Sequence, residues 1–202
     1  MIVVSAPSGA GKTTLCRRLL AELPGIEFSI SHTTRPPRSG ERSGVDYHFV
    51  ATEEFESLRA RCEFIESAQV AGHLYGTSAA AVRDVVRRGR DVLLDLDTQG
   101  AAAIRRLIPE AVLVFILPPD PSALRARLEG RGSESPESLS RRLSLARGEI
   151  DKAPLYDYLI VNDDLEAAYD RLRAVILAAR CRQSRQQSRL EEIARRFRNP
   201  AG

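Results

Sequence analysis

The chain is nearly without lysine. Of its 30 basic residues only Lys12 and Lys152 are lysines, and arginine supplies the rest. Lysine is therefore not the default cation, and the placement of Lys12 is informative. Cysteine is scarce too: Cys16, Cys62 and Cys181 are odd in number and widely spaced. That pattern excludes a disulfide framework and a paired zinc motif, and it fits a reducing cytoplasm. Long apolar runs are missing. The longest uncharged one, Ala111 to Leu117, falls far short of the roughly 20 residues a membrane-spanning helix needs. The opening residues, MIVVSAPSGAGK, carry no basic stretch ahead of an apolar one, so no signal peptide is expected. No internal repeat is visible. The net charge is only +3, too little to mark the whole molecule as a polyanion binder.

What is present reads as one ordinary domain. The 202 residues are 43% apolar and 28% charged, a globular balance with enough apolar material for a core. Residues 2–5, 92–96, 111–117 and 158–161 are short continuous apolar runs, the mark of parallel strands covered on both faces. Helical patterns alternate with them. Leu15, Leu19 and Leu23 recur at helical spacing before Pro24-Gly25, and Asp120-Pro121 opens another helix with a cap followed by proline. Thr52 resembles a cap for a helix over 52–60.

The expected core comprises residues 1–30, 78–129 and 153–180. Residues 31–77 have shorter, closer strand patterns and read as an inserted mixed α/β lobe. Residues 130–152, glycine-bounded and then helical, read as a lid. The tail, 181–202, reads as an arginine-rich extension of the last helix.

The stretch APSGAGKT follows the first strand and precedes the first helix, which is the setting a P-loop requires. Successive backbone N–H groups there can curl around phosphate oxygens, with the helix N-terminus adding partial positive charge. Gly9 and Gly11 permit the backbone angles. Lys12 is placed to reach β- and γ-phosphates, and Thr13 to offer a hydroxyl to Mg²⁺. The strict pattern has glycine where this chain has Ala6, but the Gly-Lys-Thr core is intact. The motif predicts nucleoside triphosphate binding on a three-layer, P-loop nucleoside triphosphate hydrolase-like α/β fold. A second loop, SHTTRPPRSG, sets Arg35 and Arg38 around two stiff prolines. Guanidinium groups grip phosphate bidentately, and Tyr47 and Tyr75 can offer hydroxyls to the same anion. The loop reads as a second phosphate clamp.

Taken together, SAPSGAGKTT, SHTTRPPRSGE, DYHFV, EFIESA, LYGTS, LLDLDTQG, LEGRG and IVNDD resemble guanylate kinases, which phosphorylate GMP from ATP in purine nucleotide metabolism. The resemblance runs to about residue 180. It implies ATP contacts from Ala6, Pro7, Ser8, Gly9, Ala10, Gly11, Lys12, Thr13 and Thr14, with Asn162 near the adenine. It implies that Ser31, Arg35, Arg38, Tyr47 and Tyr75 bind the GMP phosphate. Glu66, Thr77 and Asp97 would read the base, with Gly76 and Asp95 in the same site. A carboxylate suits guanine, whose N1–H and N2 amino group are adjacent donors; adenine presents an acceptor at N1 and meets it repulsively. Asp95 ends an apolar strand and would help order Mg²⁺ through water. Lys12, Arg38, Arg131 and Arg142 form the implied catalytic set, the last two reaching from the lid. No general base is expected, because a GMP phosphate oxygen is already an anion.

Three rivals have weaker support. A sugar-phosphate kinase does not need Glu66, Thr77 and Tyr75 together. A non-catalytic relative should lack Lys12 or the lid arginines, and all are present. A nucleic-acid binder needs more than Phe197 as a stacking surface. The tail has a solvated helix end as its default reading, and a contact with a second copy as the alternative.

Overall fold

The computed structural model describes residues 1–130 and 136–198. In chain order the first elements are β1 (Ile2–Ser5), α1 (Lys12–Glu22), β2 (Ile26–Phe28), β3 (His32–Thr33), β4 (His48–Phe49) and α2 (Thr52–Ala60). Next come β5 (Phe64–Val70), β6 (His73–Ser78), α3 (Ala79–Arg87), β7 (Asp91–Asp95), α4 (Thr98–Leu107), β8 (Val112–Leu117) and α5 (Pro121–Glu129). The chain continues through α6 (Pro136–Ile150), β9 (Tyr158–Val161), α7 (Leu165–Arg180) and α8 (Gln187–Arg198).

The main sheet has the order β2-β7-β1-β8-β9 and every pairing in it is parallel. Its apolar runs are continuous because both faces are covered. Ile2 and Val4 of β1 pack with Leu15, Leu19, Leu172 and Ile176 of α1 and α7. Val3, between them, packs with Val82, Val85, Ala101 and Ile104 of α3 and α4. The side-chain period of two thus sends alternate residues into two cores, giving three layers. Strands β1 and β7 lie side by side with Val4 opposite Asp95, so the P-loop and Asp95 emerge together at the carboxyl ends of the strands. In open α/β sheets that edge is where ligands bind.

The inserted segment makes a second sheet, β4-β3-β6-β5. Strand β3 pairs parallel to β4 and antiparallel to β6, and β5 and β6 form an antiparallel hairpin. The strand β3 lies in what the sequence presents as a turn-rich stretch; two residues carry no periodicity to detect. Helix α2 begins at Thr52 but is capped by Ala51, without a side-chain hydrogen bond, so Thr52 is not the cap its type suggests. Helix α6 packs on α5 through Leu124, Leu128, Leu139 and Ala146.

The tail does not extend the last helix. Helix α7 stops at Arg180, a 3-10 turn spans Gln183–Arg185, and α8 follows with no buried residue. Asp91 holds the break: Arg180 Nε and Arg185 Nη1 each donate to it at 2.7 Å. The Gln186 amide donates to Arg180 O at 2.7 Å and closes the turn.

Candidate active site

The loop after β1 is shaped by backbone geometry. Gly9 and Gly11 have φ of +94° and +96°, in the left-handed region that side chains avoid. Gly11 also has no room: an added Cβ would lie 2.2 Å from Asn162 Nδ2. The loop wraps the N-terminus of α1, whose first residue is Lys12. The Lys12 ammonium rests on the Asp95 carboxylate. Burial opposes the charge on Lys12, yet Asp95 holds its pKa above the ordinary lysine value.

A cleft of about 290 Å³ runs from this loop to the small sheet. Ala6, Pro7, Ser8, Gly9, Gly11, Lys12, Thr13 and Thr14 line one end. Ser31, Arg38, Tyr47, Glu66, Tyr75, Asp95 and Asp97 line the rest. Register explains the far wall. Strand pairing sets Glu66 opposite Thr77 and Ala68 opposite Tyr75, so alternate residues of β5 and β6 share the cleft face. Thr77 Oγ1 donates to Glu66 Oε1 at 2.5 Å, with both residues buried. Burial pushes Glu66 up to about 7; the Thr77 hydrogen bond opposes this and the Asp97 charge adds to it. Asp97 caps α4, accepting the Gly100 N–H at 2.8 Å. That cap fixes the direction of its carboxylate.

Four expected contacts fall elsewhere, and a fifth, Thr77, is fully buried against Glu66 and does not itself line the cleft. Gly76 alternates with Tyr75 and Thr77, so it turns to the other face of β6. A Cβ there would meet Phe64 Cγ at 2.9 Å and Phe55 Cζ at 3.0 Å, which makes Gly76 a packing position. Asn162 does not line the cleft. It is 5% exposed and its Nδ2 donates to Ala10 O at 2.7 Å, behind the loop. Ala10 is fully buried on the same side. Arg35 opens instead onto an adjoining hollow of about 770 Å³, which shares Thr13, Arg38, Tyr47, Tyr75 and Asp95 with the cleft. Its Nη2 donates to both oxygens of Glu41 at 2.9 Å, and its guanidinium lies 5.4 Å from the Tyr47 ring centroid.

Arg142 reaches the loop from α6, its Nη2 donating to Ser8 Oγ at 3.2 Å. Arg131 lies outside the described residues. The His32 and His48 ring centroids lie 4.6 Å apart, and neither ring lines the cleft.

Glu41, Ala68, Val70 and Glu149, to which no motif assigns a role, also line the cleft or its adjoining hollow. Ala68 and Val70 follow Glu66 at the period of a strand and give the far wall an apolar floor. Glu149 enters the cleft from α6. Its pKa is raised, first by burial and then by Asp97, against the Lys12 and Lys152 charges. Only tertiary packing brings it there, so no local signal marks it. Glu41 follows Arg38 by three residues in a turn, and that spacing was a usable signal.

Comparison with known proteins agrees with this geometry. The sequence model of the guanylate kinase family matches residues 1–179. A guanylate kinase of Neisseria meningitidis serogroup A is 54% identical over 186 residues, covering 92% of this chain and 91% of that one. One from Symbiobacterium thermophilum is 51% identical over 192 residues, covering 95% and 91%. The crystal structure of guanylate kinase from Anaplasma phagocytophilum matches with a TM-score of 0.81 at 36% identity, over 98% of this chain and 94% of that chain. With the cleft built as described and the match running from the first strand to the end of α7, the chain belongs to the guanylate kinase family.

Proposed function

We propose that this protein transfers the γ-phosphoryl group of ATP to GMP, giving ADP and GDP, in the recycling of GMP. The observation that carries the reading is one cleft with a triphosphate-type loop at one end and a buried carboxylate–hydroxyl pair at the other. Arg38, Tyr47 and Tyr75 stand between them.

ATP is held by the main chain from Ala6 to Gly11 and by the N-terminus of α1, with Thr14 at the edge. Lys12 moves from Asp95 to the β- and γ-phosphates. Asn162 supports the loop from behind through Ala10. Thr13 and Asp95 offer a hydroxyl and a carboxylate, the hard oxygen donors that Mg²⁺ takes alongside substrate phosphates. These residues fit the ion, and its contribution when bound is to neutralise charge on the phosphates.

GMP enters from the lobe. Ser31, Arg35, Arg38, Tyr47 and Tyr75 take its phosphate. Glu66 accepts from guanine N1–H and the N2 amino group, Thr77 fixes the Glu66 rotamer, and Asp97 faces the same edge. A GMP phosphate oxygen then bonds to the γ-phosphorus as the bond from that phosphorus to the β-bridging oxygen breaks, and ADP leaves. The nucleophile is already anionic, so alignment, water exclusion and charge neutralisation suffice. Arg142, with Arg131, supplies positive charge from the lid side.

The test is ADP release from Mg·ATP with GMP, AMP, CMP, UMP or a sugar phosphate as acceptor. Turnover with GMP above all others is expected. Turnover with a sugar phosphate instead would discard the guanine pocket, and no turnover with any acceptor would discard the transfer.

We place the activity in the cytoplasm, where the exposed thiols of Cys62 and Cys181 stay reduced. No helix of the described residues is long and apolar enough to cross a membrane. We assign the outer face of α8 to a second copy of the chain. Leu190, Ile193 and Phe197 lie exposed on one stripe of that helix, with Arg189, Glu191 and Glu192 toward one end and Arg195, Arg196 and Arg198 toward the other. Antiparallel pairing of two such helices sets acid against base. A self-association that Ile193→Glu abolishes in sedimentation is expected, and a monomer at all concentrations refutes it.

A further inference from the structure

Of the carboxylates that line the cleft, all but one have a partner in the protein. Thr77 Oγ1 donates to Glu66, the Lys12 ammonium rests on Asp95, and the Gly100 N–H donates to Asp97. Glu149 lines the same cleft, and its carboxylate has no hydrogen bond or ion pair among the described residues. A partly buried acceptor left without a donor is costly, and such a group in a cleft calls for an explanation. Burial raises the Glu149 pKa above the ordinary glutamate value against the Lys12 charge, and Asp97 adds to the rise against Lys152. Its charged neighbours thus belong to the triphosphate loop, to the base-reading end and to its own helix end.

The position of Glu149 is framed on both sides along the chain. Arg142, seven residues earlier on α6, donates to Ser8 Oγ at 3.2 Å. Seven residues are close to two helical turns, so Arg142 and Glu149 share one stripe of α6, about 10 Å apart along its axis. That stripe runs from the triphosphate loop toward the acceptor end. Three residues after Glu149 comes Lys152, the second of the two lysines in the chain. Its N–H donates to Glu149 O at 3.1 Å, and its Nζ donates to Thr98 Oγ1 at 3.2 Å. Thr98 follows Asp97 and is 5% exposed. Ala153 and Tyr156 then join the core that holds Ala101 and Ile104 of α4. The end of α6 is therefore pinned beside the start of α4, with the Glu149 carboxylate left to face the cleft.

We infer that Glu149 binds the ribose of GMP, its carboxylate oxygens accepting from the 2′- and 3′-hydroxyls, and so favours the ribonucleotide over the deoxyribonucleotide. This rests on the reading of the cleft as a GMP site and deepens it. An ionised carboxylate only accepts hydrogen bonds, and like charge sets it against any phosphate. The GMP phosphate has the arginines and tyrosines, the guanine edge has Glu66 and Asp97, and Mg²⁺ has Thr13 and Asp95. What remains of GMP is a vicinal diol, two donors spaced to meet one carboxylate. What remains of the cleft wall with acceptor oxygens is Glu149. The ribose joins phosphate to base, so it must lie between Arg38 and Glu66, where the Ala68 and Val70 side chains offer it no hydrogen bond.

The test compares sugars on one base. Steady-state kcat/KM is measured for GMP and for 2′-deoxy-GMP with Mg·ATP, on the wild-type protein, Glu149→Ala and Glu149→Gln. The KM values for ATP and 2′-deoxy-ATP are measured alongside, with GMP as acceptor. The wild-type protein is expected to favour GMP over 2′-deoxy-GMP by about tenfold, the lower range for one hydrogen bond to a charged group. Glu149→Ala should lower GMP use by roughly tenfold or more and 2′-deoxy-GMP use by less, because the deoxy form has one donor fewer to lose. The ratio between them then falls toward one. Glu149→Gln, which keeps one uncharged acceptor oxygen, should fall between. A wild-type ratio near one overturns the inference. So does an equal loss for the two acceptors in Glu149→Ala, which would report a general effect of charge or folding. A loss confined to ATP against 2′-deoxy-ATP would put the carboxylate on the donor's ribose and overturns it too. If no guanine nucleotide is turned over, or AMP serves as well as GMP, the reading of the cleft as a GMP site fails, and the inference with it.

Discussion

The triphosphate end of the cleft is built from main chain on the large sheet, whereas the acceptor end is built from side chains on the small one. Around Lys12 the shape comes from Gly9, Gly11 and the start of α1, braced from behind by Leu124, Leu128 and Asn162. Strand β1 beneath it is fully buried. Around Glu66 the recognising groups are a carboxylate, a hydroxyl and arginines; Thr77 orients Glu66, and Glu41 and Tyr47 orient Arg35. The first design grips what every nucleoside triphosphate shares and leaves little to adjust. The second selects one base and one phosphate, and every part of it can be tuned by substitution.

Changes at the loop should therefore cost turnover without altering selectivity. Lys12→Met is expected to lower kcat by roughly 10²–10³, the usual cost of losing one preorganised charge donor, with the preference for GMP over AMP unchanged. A selectivity change measured in acceptor competition would contradict the division between the two ends. On the lobe side the largest effect is expected from Arg38→Ala. Its guanidinium is the free cation of the clamp among the described residues, so kcat/KM for GMP should fall by about a hundredfold, in line with a lost charged hydrogen bond. A near wild-type value would remove Arg38 from the clamp.

Glu66 sharpens the comparison by its protonation. Glu66→Gln should lower GMP use by roughly tenfold to a hundredfold and narrow the gap to AMP, because an amide can accept one guanine donor but clashes with the other. Unchanged selectivity would move base reading elsewhere. The buried carboxyl has its pKa near 7, against 4.5 for an ordinary glutamate. Below about pH 7 the neutral form is thus the favoured one in the empty pocket. Its stabilising contribution is complete below about 4.5 and is lost as the pH rises through about 7. Guanosine binding needs the ionised form and should run the other way, strengthening as the pH rises through 7. Guanosine is the better probe because the GMP phosphate itself titrates near pH ~6. Opposite slopes for melting temperature and guanosine affinity, both flattened in Glu66→Gln, are the expected result.

The two ends also differed in how much the sequence disclosed. The position of the loop was legible, because its chemistry lies in consecutive residues between a strand and a helix, although Ala10 within it turns inward. The parallel sheet was legible because strands buried on both faces must be apolar throughout. In the lobe the residue types were readable but their bonds were not. That Arg35 pairs with Glu41, or that Asp97 spends one oxygen on the Gly100 N–H, depends on turn and cap geometry. Asn162 shows the limit most clearly. The family resemblance implied a contact near the adenine, yet the contact in the structure is with Ala10, 152 residues away in sequence. The end of α7 was missed for a related reason: Asp91, which gathers Arg180 and Arg185, lies on the far side of the sequence.

The finest test of the acceptor end lies at a glycine that touches no substrate in this reading. Gly100 sits in the first turn of α4, where an added Cβ would come 2.9 Å from Glu66 Oε2 and 3.4 Å from Asp97 Oδ1. No positive φ is required there, so alanine suits the helix and gains up to about 1 kcal/mol in propensity. The carboxylate must nevertheless give way, and it is the end of a flexible side chain, so folding should tolerate the change. Gly100→Ala is therefore expected to keep or raise the melting temperature while lowering kcat/KM for GMP by roughly tenfold, less than the hundredfold cost of a full 1 Å misplacement. The KM for ATP should stay as it was, because the loop end is untouched. Unaltered GMP kinetics would mean that Glu66 reads the base from a position it is free to change, and the contrast between a fixed loop and a side-chain-tuned lobe would then extend even to its central carboxylate.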